Sequence, residues 1–351
     1  MKFIHVADIH LGANPDAGRA NEKTRGDELW ETFERLLNVC NEQKIDLLLI
    51  AGDIFHNQPL LRELKELDYL FSKLEFTKVV LIAGNHDYIK PTSFYKTFTW
   101  SPNVTMLTDS KLMQVTFTKW NLKVYGFSYH EKMIEEPIID EARPNADRMR
   151  KILIAHGGDV THVPFNKRKV SELGYDYVAL GHIHKPKILI ENKMAFAGAL
   201  EPIDRNDLGD HGYILGTLEE DGIKTEFVTF AKRKYMQLNI KIDDSMSAHE
   251  VKDRMMAAIE KAGEQNIYNV VIHGFRNENM IMDTQNFDIL GNIVGIIDDT
   301  DPFYDFRKLM ELNKDNIIGA FIEKYIDYPK DSPEYEAMSY GVSALMEARR
   351  S

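Results

Sequence analysis

The sequence predicts an α/β protein: a four-layer αββα sandwich, then a smaller α+β module and a C-terminal helix. Three observations carry this. Short apolar runs suited to buried strands recur through the first half of the chain, separated by stretches with helical periodicity. Five of these runs end in Asp, Asn or His at the same end. After Lys232-Arg233-Lys234 the texture changes, and alternating strand-like segments mix with capped helical ones.

The first run, Phe3-Ile4-His5-Val6-Ala7, ends in Asp8-Ile9-His10. A polar loop from Gly12 to Gly26 follows, with Asn14-Pro15-Asp16 as a turn, and is expected to form a mobile rim of a cleft. From Asp27 to Cys40, the positions Leu29, Trp30, Phe33, Leu36, Leu37 and Cys40 recur at helical spacing, so Cys40 reads as core. Leu47-Leu48-Leu49-Ile50-Ala51 then runs into Gly52-Asp53-Ile54-Phe55-His56. Gly52 lets the backbone turn and bring a carboxylate close to whatever lies at the strand's end. Leu60, Leu64, Leu67, Phe71 and Leu74 form a second helical stripe, whose plain reading is packing on the sheet. Lys78 to Ile82 ends in Ala83-Gly84-Asn85-His86-Asp87.

Residues 104–128 read as β-hairpin material, with alternation in Met113-Gln114-Val115-Thr116-Phe117. Glu131 to Arg150 is a charged connector interrupted by Pro137 and Pro144. Lys151 to Ala155 ends in His156-Gly157-Gly158, and Tyr177 to Leu180 ends in Gly181-His182-Ile183-His184. Gly212 to Phe230 supplies two more strands around the turn Glu220-Asp221-Gly222. A first domain over 1–231 results. The second, 235–329, opens on the alternating Leu238 to Ile242 and a capping box, Ser247 with Glu250, for a helix to Ala262 that Gly263 closes. Strands at Val270–Ile272 and Ile293–Ile296 and a helix from Asn316 to Tyr325 complete it. Over 332–351, Tyr335, Met338, Val342, Leu345 and Met346 mark an amphipathic helix, with partner docking and packing back on the second module as the two readings.

Composition narrows the class. The chain has 351 residues, 44% apolar and 28% charged, as expected of a globular protein with two cores. Cys40 is its one cysteine, which excludes internal disulfides and cysteine-rich metal clusters. No run approaches the roughly 18 apolar residues of a membrane span, and no signal peptide is read at the start, so a cytoplasmic protein is expected. A net charge of −12 argues against independent, tight binding of a polyanion.

Ligands in open α/β sheets bind beyond the carboxyl ends of the strands, and that is where the Asp, Asn and His residues fall. Mixed donors of this kind suit Mn, Fe or Zn over Ca or Mg. The motifs Asp8-x-His10, Gly52-Asp53-x-x-His56, Gly84-Asn85-His86-Asp87, His156 and Gly181-His182-x-His184 resemble the signature of calcineurin-like metallophosphoesterases. Within them the chain is similar to the nuclease subunits of SbcCD-type DNA double-strand-break repair complexes. Three details carry that likeness: Met1-Lys2-Phe3 leads straight into the first motif and on to His10-Leu11-Gly12; His56 follows Asp53 by three; and Ala197 to Pro202 matches a Gly-Ser-Leu-Glu-Pro-like turn, with Ala199 in place of Ser. The likeness covers residues 1 to about 230.

The resemblance implies a two-cation phosphodiesterase of the metallophosphoesterase sandwich fold. It implies Asp53 as the bridging ligand, Asp8, His10 and His184 on one cation, and Asn85, His156 and His182 on the other, with Mn the expected metal. It assigns His86 a catalytic role as proton donor and charge stabiliser, and His56 a second catalytic role in positioning the phosphodiester. It further implies Mn-dependent exonuclease and endonuclease action on DNA ends in repair or recombination, a homodimer, a capping role for 235–329, and an SbcC-like ABC-type coiled-coil ATPase as partner. Lys90, Lys96, Arg168, Lys185 and Lys187 are the candidate DNA contacts. Of the remaining polar residues, His5 reads as core, Asp87 as a loop brace or an orienting partner of His86, His211 as a lesser site candidate, and His130, His162, His249 and His273 as structural or surface. The alternatives are a small-molecule phosphoesterase, which has no need of a second module, and a non-catalytic scaffold, which has no need of the complete ligand set.

Overall fold

Strands that are apolar on both faces need cover on both faces, and this requirement shapes the first part of the chain. The computed structural model describes residues 1–16 and 22–350. It divides into two compact units, Met1–Met236 with Gln265–Ile267, and Gln237–Glu264 with the chain from Tyr268 onward.

In chain order the first unit contains β1 (Lys2–Val6), α1 (Glu22–Glu42), β2 (Leu47–Ala51), α2 (Leu61–Ser72), β3 (Lys78–Ile82), β4 (Val104–Met106), β5 (Met113–Phe117) and β6 (Leu122–Gly126). There follow β7 (Arg150–His156), α3 (Lys167–Ser171), β8 (Tyr177–Gly181), β9 (Lys187–Ile190), β10 (Met194–Phe196), β11 (Gly212–Leu218) and β12 (Ile223–Thr229). Among the described residues they form two six-stranded sheets, ordered β12-β11-β1-β2-β3-β4 and β5-β6-β7-β8-β10-β9. β1 to β4 are parallel, as are β6, β7, β8 and β10.

Strand alternation separates the layers. Phe3, Leu47, Leu49, Val80 and Ile82 face Val124, Ile152, Ile154 and Tyr177 between the sheets. Ile4, Val6, Leu48 and Ile50 face outward, under Phe33, Leu36 and Cys40 of α1 and Leu64, Leu67 and Phe71 of α2. Phe33 and Phe71 meet edge-on, ring centres 6.0 Å apart, and each fully buried ring contributes about 1.5–3 kcal/mol. The fourth layer is thin. A short 3₁₀ turn at Ile138–Glu141 and α3 place Ile139 and Val170 over Leu153, Val178 and Leu180.

Some expectations shift. α1 begins at Glu22 rather than Asp27, so only residues 12–16 of the expected mobile rim are described loop, and 17–21 lie outside the described residues. The 104–128 segment is split between sheets: β4 pairs with β3, whereas β5 and β6 form the hairpin. Of the second stripe, Leu64, Leu67, Phe71 and Leu74 are buried on the sheet, and Leu60 is exposed beside Leu61 and Tyr69. Cys40 is core, and burial pushes its thiol up to about 12.

In the second unit, β13 (Tyr235–Ile242), α4 (Ala248–Ala262), β14 (Ile267–Asn277) and β15 (Ile293–Phe303) make a three-stranded sheet with a helix. Ser247 caps α4 and Glu250 returns to the Ser247 backbone N–H at 2.7 Å. Three helices follow: α5 (Phe306–Leu312), α6 (Ile317–Tyr325) and α7 (Pro333–Arg350). The tail is no separate segment. Met338 and Val342 of α7 are fully buried with Leu309, Ile318 and Ile322, and Tyr335, Leu345 and Met346 pack alongside. The apolar stripe is consumed within the chain by α6 and by α5, a helix the sequence pattern did not reveal. No described helix is long and apolar enough to cross a membrane.

Candidate metal centre

The site forms where the carboxyl ends of both parallel sheets meet. Asp8 follows β1, Asp53 follows β2, Asn85 and His86 follow β3, His156 ends β7, and His182 and His184 follow β8. The first two loops are laced together: Asp8 N–H donates to Gly52 O at 3.2 Å and His10 N–H to Asp53 O at 3.0 Å. Asp8, His10, Asp53 and His182 all have positive φ, at 50°, 51°, 50° and 97°. Each such residue costs about 1–3 kcal/mol that surrounding contacts must offset. Such strain is typical of functional sites.

Two glycines leave the room. A Cβ on Gly52 would lie 2.5 Å from His156 Nδ1, and one on Gly84 would fall against the Asp53 carboxylate. That carboxylate is central. Its Oδ2 lies 3.2 Å from His156 Nε2 and 3.9 Å from His10 Nε2. Its Oδ1 accepts the backbone N–H of His86 at 2.9 Å. On one side, His10 Nε2 meets His184 Nε2 at 3.1 Å, and Asp8 completes the group. On the other, Asn85 Oδ1 lies 2.9 Å from His156 Nε2 and 3.1 Å from His182 Nδ1. All seven metal candidates are therefore in one place. His56 and His86 adjoin them: both rings lie within 5.3 Å of the His10 ring, centre to centre.

The chain's motifs, strands and layers are those of a known family. The model for calcineurin-like phosphoesterases matches residues 1–186. The chain belongs to that family. It is 28% identical over 254 residues to the uncharacterized metallophosphoesterase YhaO of Bacillus subtilis, covering 65% of this chain and 60% of that protein. It is 25% identical over 274 residues to the DNA double-strand break repair protein Mre11 of Methanocaldococcus jannaschii, covering 73% of each. The Mre11 protein of Archaeoglobus fulgidus is 25% identical over 293 residues, covering 74% of this chain and 64% of that one. The chain thus spans less than two thirds of YhaO and of the Archaeoglobus protein.

The donor set of this phosphoesterase fits divalent cations. His156 Nδ1 donates to Ala51 O at 2.9 Å, and His182 Nε2 donates to Asp159 at 2.8 Å. In neutral rings this leaves lone pairs on His156 Nε2 and His182 Nδ1, facing the oxygens of Asp53 and Asn85. Such convergent acceptors are what a cation satisfies. The electrostatics are divided: burial lowers His156 and His184, but Asp53 outweighs it at His156 and Asp207 at His184, and each ring is raised to about 9. Burial pushes the Asp8 carboxyl up, and Asp53 adds to this. Burial opposes ionisation of Asp53 too, but His156, His10 and His86 outweigh it and hold that carboxyl well below the usual range. Burial lowers His182 to about 4, aided by His156. His10 is likewise held low by burial and by its histidine neighbours.

The other polar residues sort by contact. His5 is core: Nδ1 meets Tyr177 Oη at 3.0 Å, and Nε2 meets Leu180 O at 3.2 Å. Asp87 braces the loop through Gly84 N–H at 2.8 Å, Phe55 N–H at 3.3 Å and Tyr95 O–H at 2.9 Å. It does not orient His86, whose Nδ1 donates to His56 O at 3.0 Å. His211 supports the loop carrying Asp207, between Ala199 O and Asp207 O. His162, outside the motifs, stands at the edge of the site: its ring lies 4.5 Å from that of His182 and it shares Asp159 with it. Asp159 and Asp207 were missed altogether. Asp159 follows the His156-Gly157-Gly158 turn, and an acid in a glycine-rich loop after a ligand strand was the available signal.

Proposed function

We propose that this phosphoesterase is an Mn-dependent nuclease that hydrolyses phosphodiester bonds at DNA ends in repair or recombination. One observation carries the catalytic part: Asp53 stands between two histidine-containing donor sets. Asp53 would bridge two cations, Asp8, His10 and His184 would hold one, and Asn85, His156 and His182 the other. When bound, such a pair supplies Lewis acidity toward the phosphate and lowers the pKa of a bound water.

The chain's own groups do the rest. Fixed strand-end positions hold the ligands without reorganisation. His86 is half-buried, and its Nδ1 is engaged by His56 O. Nε2 is left to serve the substrate. In the protonated ring it offers a proton to the departing oxygen of the cleaved strand. His56, beside it, is assigned to positioning the phosphodiester.

DNA as substrate is supported by the Mre11 relatives, whose similarity to this chain extends over 73% of it, beyond the 186 residues of the family model. The second unit also supports it, since a small-molecule phosphatase has no need of one; we assign it the role of holding DNA. Strong grip by the chain alone is not expected. Its net charge is −12, and Arg168 and Lys169 are paired with Glu172 and Asp140. Lys96, Lys185 and Lys187 are exposed and remain candidate phosphate contacts together with Lys90. An SbcC-like ABC-type ATPase and a second copy of the chain, met through the exposed Leu60, Leu61 and Tyr69, would supply the remaining hold.

The test offers the purified chain and Mn²⁺ an end-labelled duplex, a chromogenic phosphodiester and a chromogenic phosphomonoester. Cleavage of duplex and diester, lost in Asp53→Asn, is the expected result. An intact duplex beside a rapidly hydrolysed monoester would replace this reading with a small-molecule phosphoesterase.

A further inference from the structure

The turn Gly181-His182-Ile183-His184 brings two imidazoles to the centre from opposite ring nitrogens. His182 approaches Asn85 Oδ1 through Nδ1 at 3.1 Å, whereas His184 approaches His10 through Nε2 at 3.1 Å. A neutral imidazole has one proton, and the nitrogen that carries it cannot bind a cation. The two rings must therefore hold opposite tautomers, although they lie two positions apart on one turn.

Each ring has a carboxylate at its far nitrogen. Asp159 Oδ2 lies 2.8 Å from His182 Nε2. The Asp207 oxygens lie 3.1 and 3.2 Å from His184 Nδ1. Neither carboxylate is free to wander. Asp159 Oδ1 accepts the backbone N–H of Thr161 and of His162, both at 2.8 Å, and Thr161 O–H at 3.0 Å. Asp207 Oδ2 accepts Ile203 N–H at 3.0 Å and Asp204 N–H at 3.1 Å. His211, fully buried, is wedged between Asp207 O, 3.1 Å from Nε2, and Ala199 O, 3.2 Å from Nδ1, and fastens that loop. Among the described residues the other two candidate ligand histidines meet no carboxylate there: His156 Nδ1 leans on Ala51 O, and His10 Nδ1 on His56 Nδ1 at 3.3 Å.

We propose that Asp159 and Asp207 are positioning residues that lock His182 as the Nε2–H tautomer and His184 as the Nδ1–H tautomer, so that one turn serves two different cations. This rests on the two-cation reading above. Asp207 then controls the cation held with Asp8 and His10, and Asp159 the one held with Asn85 and His156. Partners of this kind raise ligand basicity, and losing one typically costs 10–100-fold in metal affinity.

The test titrates Mn²⁺ into wild type, Asp159→Ala, Asp207→Ala and Asp207→Asn by calorimetry, with thermal unfolding run in parallel. Nitrogen-detected NMR of the Zn²⁺-loaded wild type reads the protonated nitrogen of each ring. Binding of two ions by wild type is the control; its absence would overturn the two-cation reading itself. Given two ions, the proposal expects each alanine variant to weaken a different binding step by about 10–100-fold. Asp207→Asn, which keeps an acceptor oxygen, should recover most of the affinity. The spectra should show a proton on Nε2 of His182 and on Nδ1 of His184. Three results would overturn the proposal: the same protonated nitrogen in both rings, both variants weakening one step alike, or variants that unfold earlier yet bind both ions as wild type does.

Discussion

His156 donates from Nδ1 to the carbonyl of Ala51 across 2.9 Å, joining the end of β7 in one sheet to the end of β2 in the other. This bond aims Nε2 at Asp53 and Asn85, and the bare Gly52 beside it gives the ring its space. Gly52 also has φ of 89°, a conformation side chains rarely adopt. Gly52→Ala should therefore cost about 2–5 kcal/mol, from left-handed strain plus overpacking. Denaturant unfolding measures it. A variant within about 0.5 kcal/mol of wild type would show that the two lips are not locked together in this way.

His86 lies beside the donor set and is held by a backbone carbonyl, whereas Asn85 Oδ1 points into it, 2.9 Å from His156 Nε2. His86→Ser should lower turnover by about 10²–10⁴-fold while leaving metal content near that of wild type. Loss of a cation together with activity would make His86 a ligand and remove its role as acid.

The candidate ligands were legible in the sequence because each sits directly after an apolar run, where strand and chemistry share one local signal. Asp8, His10, Asp53, Asn85, His156, His182 and His184 all have that form. Asp159, His162 and Asp207 do not. They stand in loops, and their contacts with His182 and His184 depend on how those loops fold back. The two sheets were legible for the same reason as the ligands, but the splitting of 104–128 between them was not, since alternation does not say which strand is the neighbour. The tail shows the same limit. Its stripe at Tyr335, Met338 and Val342 demanded a partner surface, and periodicity alone could not say that α5 and α6 provide it.

That packing gives the tail a structural role to test. Met338 is fully buried against Leu309, Ile318 and Ile322. Met338→Ala should destabilise the second unit by about 2–5 kcal/mol, read by hydrogen exchange in α5 to α7. Unchanged protection in those helices would mean that α7 is loosely held and free to dock elsewhere.

His5 makes the fold sensitive to acid. Burial lowers its pKa to about 3, against roughly 6.5 in the unfolded chain. The unfolded state takes up the proton first, so the contribution is fully present above pH 6.5 and is lost as pH falls toward 3. By pH 5 about 2 kcal/mol should be gone. Urea unfolding of wild type and His5→Gln at pH 7 and pH 5 isolates this, with the variant losing less on acidification. Equal losses in both would assign the acid sensitivity to other groups.

Asp53 is the hinge of the proposed two-cation centre: its Oδ2 lies 3.2 Å from His156 and 3.9 Å from His10, between the two donor sets. Metal analysis after reconstitution with Mn²⁺ and removal of excess ion tests it most directly. Wild type should retain about two ions per chain, and Asp53→Ala should retain neither. One ion kept at full affinity by the variant would contradict the bridging role, and with it the two-cation centre.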